Sequence, residues 1–168
     1  MKMDLLINEL LRVIERESEI YRSMLAVIEK ERKAAVQSDL NVLNIAAEEK
    51  EDILVKLGIV EEQRTRLVKE MAEALGYPPR EITLTMISQV VGEPFAGRLR
   101  RAGNDLSTVL NSVRDANHSN KQLFEHSIEL LKGSFNILSE LTRSDTVYYR
   151  TGNIQRTYQT GNCVNGEI

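Results

Sequence analysis

The chain has 168 residues, a net charge of −3 and a pI near 5.6, with 42% hydrophobic and 28% charged residues. That balance fits one globular domain with a real core, and it excludes a nucleic-acid binder that relies on a broad basic face to displace counterions from phosphates. A lone cysteine, Cys163, excludes an internal disulfide framework, and the lack of Trp with only three Phe and three Pro suits long helices better than a β-sandwich.

The opening residues Met1–Glu9 break their apolar run with Asn8 and Glu9, too early for a signal peptide. No apolar stretch approaches the roughly 18–20 residues needed to span a bilayer. The expectation is a soluble protein of the reducing cytoplasm. From Asp4 to Gln37 the apolar residues repeat in heptads. The rows are Leu6–Val13–Ile20–Val27–Ala34, Ile7–Ile14–Tyr21–Ile28–Ala35 and Met3–Leu10–Glu17–Met24–Glu31. A stripe this wide predicts a helix packed against more than one neighbour.

Ser38-Asp39 can cap a second helix, predicted over 40–75. Its stripe is read as Leu40, Leu43, Ala47, Lys50, Leu54, Leu57, Glu61, Arg64, Val68, Met71 and Leu75, joined by Ile53, Val60 and Leu67. Gly76-Tyr77-Pro78-Pro79 ends it, because Gly suits the C-cap and proline cannot extend the ladder. The short connection predicts an antiparallel hairpin. Thr83–Val91 reads as a short helix capping the end of the bundle. After Gly92-Glu93-Pro94 a last helix is expected from Phe95 to Arg143. Its seam runs Leu99, Ala102, Leu106, Val109, Val113, Ala116, Asn120, Leu123, Ser127, Leu130, Ser134, Ile137, Leu141. At roughly 70 Å it exceeds the roughly 50 Å of each hairpin arm, so it bends or overhangs. Beyond Ser144 the periodicity stops. Residues 144–168 are rich in Thr, Gly and Asn, with an echo between Tyr149-Arg150-Thr151-Gly152-Asn153 and Tyr158-Gln159-Thr160-Gly161-Asn162, and read as a flexible tail. The fold expected is therefore all-α, an elongated antiparallel helical bundle over 1–143 with a tail over 144–168.

No constellation for catalysis emerges, and neither a cofactor nor a metal is expected. His118 and His126 are eight residues apart, not the three or four that put two rings on one side of a helix. Arg98, Arg100 and Arg101 form the only dense basic cluster and read as a solvated face. The informative residues are charges inside the seams. Facing positions of an antiparallel hairpin share a constant sum, and Glu31 with Lys50 and Glu17 with Arg64 both give 81, centred near the Ser38-Asp39 turn. They read as register-setting ion pairs; the alternative is that each charge snorkels to the bundle edge. Late in the last helix the apolar residues spread around the circumference. Phe124, Ile128, Leu131, Phe135 and Leu138 form a row beside the Leu123–Leu130–Ile137 seam, which is assigned to the hairpin. Such a face implies a partner, foreign or a second copy of the chain, unless the bundle itself covers it.

The long Glu-rich first helix with Tyr21, Gln63-Arg64 in the second helix, and Asn117-x-x-Asn120-x-x-Leu123-Phe124 followed by Thr146-Val147-Tyr148 and Gly152 resemble the FlgN family of flagellar export chaperones. The resemblance implies a cytosolic chaperone that binds the C-terminal helical segments of flagellar hook-associated (hook–filament junction) proteins. It would keep them unpolymerised and bring them to the flagellar type III export gate, and it would not be an enzyme. A tail tyrosine would dock at the gate; Tyr148 takes that part, with Tyr149 as the competing position, because Tyr148-Tyr149-Arg150 stands where the family often has one tyrosine followed by glycine. The rival from another class is a self-associating structural coiled coil.

Overall fold

A computed structural model describes residues 2–78 and 82–143, all in or between four α-helices: α1 (Lys2–Gln37), α2 (Leu40–Leu75), α3 (Leu84–Val90) and α4 (Phe95–Arg143). The architecture is all-α. The chain divides into two units, Met1–Phe124 and Glu125–Ile168.

In the first unit a two-residue turn joins α1 to α2. Ser38 adopts φ 55°, and the Asp39 N–H donates to the Ala34 carbonyl at 2.9 Å, closing α1 in a Schellman arrangement without glycine. The Asp39 carboxylate then accepts from Val42 N–H at 3.1 Å, satisfying an orphan donor of α2. At the far end of α2, Gly76 takes φ 75° and the Tyr77 N–H bonds the Ala72 carbonyl at 3.0 Å. Thr83 caps α3 by accepting from Met86 N–H at 3.2 Å, and Glu93 accepts from Gly97 N–H at 3.1 Å at the start of α4.

Two apolar clusters fill the unit. One joins Leu6, Ile7, Leu10, Leu11 and Ile14 of α1 to Leu67, Met71 and Ala72 of α2, with Ile82, Ile87 and Val91 around α3 and Ala96 and Leu99 of α4. The other joins Met24, Val27 and Ile28 to Ala46, Ile53, Leu57 and Val113. Gly103 allows α3 to lie close on α4, since a Cβ there would stand 2.6 Å from Leu84 Cδ2. Along α1, Asn8 meets Arg98 and Ile28 meets Asn120, so α4 runs parallel to α1 and antiparallel to α2.

Three details differ from the sequence expectation. On α1 a fourth row, Leu11–Ser18–Leu25, is buried or half-buried as well, because α2 and α4 both flank the helix. Ser18 fits there by donating its hydroxyl to the Ile14 carbonyl at 3.0 Å. On α2 Ile53, Leu57, Val60, Leu67 and Met71 of the expected stripe are buried and Ala46 and Ala72 join them, while Leu40, Ala47, Leu54 and Glu61 face solvent. On α4 the buried seam ends at Asn120, with Leu123 and Phe124 half-buried. Leu130, Ile137 and Leu141, assigned to the hairpin from the heptads, are exposed.

Candidate functional site

The charged positions inside the first unit build two polar layers fourteen residues apart on both hairpin arms. In one, Lys50 Nζ of α2 lies 2.7 Å from Glu31 Oε2 of α1. The same oxygen accepts from Asn120 Nδ2 of α4 at 3.1 Å, and that amide also donates to the Ile28 carbonyl at 2.9 Å. Asn120 is buried while Lys50 and Glu31 keep partial exposure, so one side chain from each of three helices meets in a node that is closed on the α4 side and reaches water at its edge. In the other layer Arg64 Nε stands 2.9 Å from Glu17 Oε2, out of hydrogen-bond alignment. Glu17 is 4% exposed. Burial pushes its carboxyl above the ordinary glutamate value; Arg64 pulls the other way and Glu61 adds to the rise. Burial, with Glu17 beside it, also raises the Tyr21 phenol. Core apolar pairs of the same positional sum alternate with these layers: Leu10 and Met71 in one cluster, Met24 and Leu57 in the other. Sequence reasoning paired Glu17 with Arg64 and Glu31 with Lys50, but missed that Asn120 joins the second pair. The signal was available, since Asn120 is the one amide in an otherwise apolar stretch of seam facing a helix that carries Glu31. It also missed the half-exposed Lys30–Glu49 pair at 2.8 Å.

In the second unit every described side chain from Glu125 to Leu141 is exposed. On a helix of 3.6 residues per turn these residues separate into halves. One half carries Ile128, Leu131, Phe135 and Leu138 on one flank and Leu130, Ile137 and Leu141 on the other, with Ser127 and Ser134 between. The opposite half carries Glu125, Glu129, Lys132 and Glu140. Ile128 is 50% and Phe135 68% exposed. Of the row expected to meet a partner, only Phe124 lies in the first unit, half-buried. Tyr148 and Tyr149 lie outside the described residues, as does the tail that carries them.

His118 and His126 are both exposed, and Gln122 Nε2 approaches His118 Nε2 at 3.1 Å. Among the described residues no three His, Cys, Asp or Glu side chains gather as a metal site would require. The basic cluster is tied locally, Arg98 to Asn8, Arg100 to Glu93 at 2.8 Å and Arg101 to the Gly97 carbonyl. A shallow hairpin groove of about 230 Å³, lined by Arg16, Ile20, Lys56, Ile59, Val60 and Gln63, is open rather than enclosing. Among the described residues no helix is long and apolar enough to cross a membrane. The first unit is thus a packed helical scaffold with internal polar layers, next in sequence to an exposed amphipathic stretch.

Residues 1–156 match the family model described as FlgN protein. No curated protein and no solved structure matches the chain.

Proposed function

The chain belongs to the FlgN family of flagellar export chaperones, a family of chaperones and not of enzymes, and from that premise we propose what it holds and where it takes it. It binds the C-terminal helical segments of flagellar hook-associated proteins in the cytoplasm. There it prevents their premature assembly and delivers them to the flagellar type III export gate. The observation that carries this reading is the exposed apolar half of Glu125–Leu141. An amphipathic client helix laid along it would bury what the chain leaves in water. Within that half the contact row is Ile128, Leu131, Phe135 and Leu138, continued from Phe124. Tyr148, with Tyr149 as the competing position, docks at the gate.

Exchanging Ile128 and Phe135 together for Ser tests the row. Both side chains are at least half exposed, so circular-dichroism melting should be unchanged. Titration with a C-terminal segment of a hook-associated protein should lose about 2–3 kcal/mol, roughly 30–150-fold in Kd. A protein that melts early yet binds its client normally would make these residues core rather than contact. Replacing Tyr148 and Tyr149 by Ala should leave the titration intact and lower export in cells; normal export removes both from the mechanism. If a second copy of the chain is the true occupant, the mass in solution will be that of an oligomer and will not change when the client segment is added.

A further inference from the structure

We propose that Asn120 is a positioning residue: its buried amide fixes the register of α4 against the α1–α2 hairpin, and so decides which stretch of α4 is left exposed for a partner. The second half of that statement rests on the client-binding reading above; the first does not.

The seam of α4 is register-degenerate by its own pattern. One row runs Leu99, Leu106, Val113, Asn120, Ser127, Ser134, Leu141, and the other Ala102, Val109, Ala116, Leu123, Leu130, Ile137. Displacing α4 by one heptad, about 10 Å, replaces apolar residues by apolar residues at nearly every level. Such a shift can bring Leu130, now 60% exposed, to the half-buried level of Leu123. Apolar burial is non-directional and does not resist the slip. Gly103 fits against Leu84 of α3, and Ile82, Ile87 and Val91 around α3 pack with α1 and α2, so a slip must also break or carry those contacts at the start of α4. Of the polar contacts that tie α4 to α1, Arg98–Asn8 and Arg22–Asp105 lie at exposed surface, where they count for little. The Asn120 contacts are different in kind. In the observed register its Nδ2 donates both to the Ile28 carbonyl and to Glu31, which also holds Lys50. One heptad away, the amide would reach the level of Val113, where Met24 stands in place of Glu31 and Leu57 in place of Lys50; it would lose the carboxylate that orders the node and keep at most Tyr21, which packs against that cluster, as a polar neighbour. The lock is imperfect as a stabilising device, since Asn120 Oδ1 accepts nothing from the described residues. A polar residue retained in a seam with its oxygen unsatisfied is better explained by specifying an alignment than by strengthening it.

The test reads register directly in the full-length chain. Spin labels are placed on cysteines at Glu9 and Asn117, both exposed, with Cys163→Ser to remove the native thiol. The two sites are far apart along the bundle axis, so a heptad slip changes their separation by nearly its full length, about 10 Å. The parent should give one distance by pulsed dipolar spectroscopy. Asn120→Leu should melt at the same temperature or higher and add a second population displaced by about that amount. Asn120→Ser, which makes positions 120, 127 and 134 alike, should do the same if the Leu variant fails to fold cooperatively. A single unshifted distance in the folded variant overturns the proposal, as does a lower melting temperature with unshifted distance, which would make Asn120 an ordinary stabilising bond. No client is present in this experiment. The lock can therefore fail while Ile128 and Phe135 still bind a client, and it can hold while they do not.

Discussion

Removing Arg64 should harm the protein far more than removing the carboxylate it faces. In Arg64→Met the Glu17 carboxylate, its side chain 5% exposed, loses the cation it pairs with among the described residues. Stripping one partner from a buried pair costs about 3–5 kcal/mol. Arg64 itself is 35% exposed, so water can enter where its head stood, and about 2–3 kcal/mol is the reasonable expectation. Glu17→Leu instead removes the buried charge and leaves a half-exposed arginine that can turn to Glu61, 3.9 Å away, or to solvent. Its loss should be below about 1 kcal/mol, offset by apolar contact. The double variant continues the apolar layers on either side and should lie within about 1 kcal/mol of the parent or above it. Urea unfolding followed by circular dichroism gives the cycle. The pH dependence supplies an independent sign. Burial raises the Glu17 carboxyl in the folded state, and losing Arg64 raises it further. A raised carboxyl contributes stability that is fully present below the unfolded value near 4.5 and is lost as pH rises through the folded value. The Arg64→Met deficit should therefore shrink between pH 7 and pH 5. Equal deficits at both pH values, or strictly additive single effects, would refute the account.

Lys50→Met should cost less than Arg64→Met in the same assay, because Glu31 keeps the Asn120 amide as a donor. Ser38→Gly should stabilise by about 0.5–1 kcal/mol, read as a higher urea midpoint, since glycine relieves the left-handed backbone at φ 55° and gives back part of the gain as unfolded-chain entropy. Asp39→Ala should cost about 1 kcal/mol through the lost Val42 cap.

How far the sequence could be read depended on how many neighbours each helix has. The four helices were legible because their ends carry chemical stops: Ser38-Asp39, Gly76, Thr83 and Gly92-Glu93-Pro94. The hairpin pairing was legible because a charge in an apolar row needs an answering charge at a definite level. The face of α2 was legible only in part: Ile53, Leu57, Val60, Leu67 and Met71 were in the expected stripe, but so were Leu40, Ala47, Leu54 and Glu61. Besides the buried row it carries Ile45, Leu54, Val55 and Ile59 on other sides, so periodicity offers more than one stripe and only the packing of α1 selects among them. Ser18 hid the fourth row of α1 by its polarity, which the helix itself absorbs. On α4 the heptads continue past Leu123 unchanged while burial stops, since a repeat records what could pack and not what is there to pack against.

The two-residue turn at Ser38-Asp39 also orders events during synthesis. Contacts across it are close in sequence, so α1 and α2 can zip together with little loop-closure entropy, whereas α4 must close back over the whole length of α2 and α3. At about 5–20 residues per second the ribosome needs a further 2–10 s or so to make the 49 residues of α4. During that interval the hairpin exists without its third helix. The Leu11–Ser18–Leu25 row then lacks the cover it has in the finished fold, and its exposure lasts as long as α4 takes to be made and to pack.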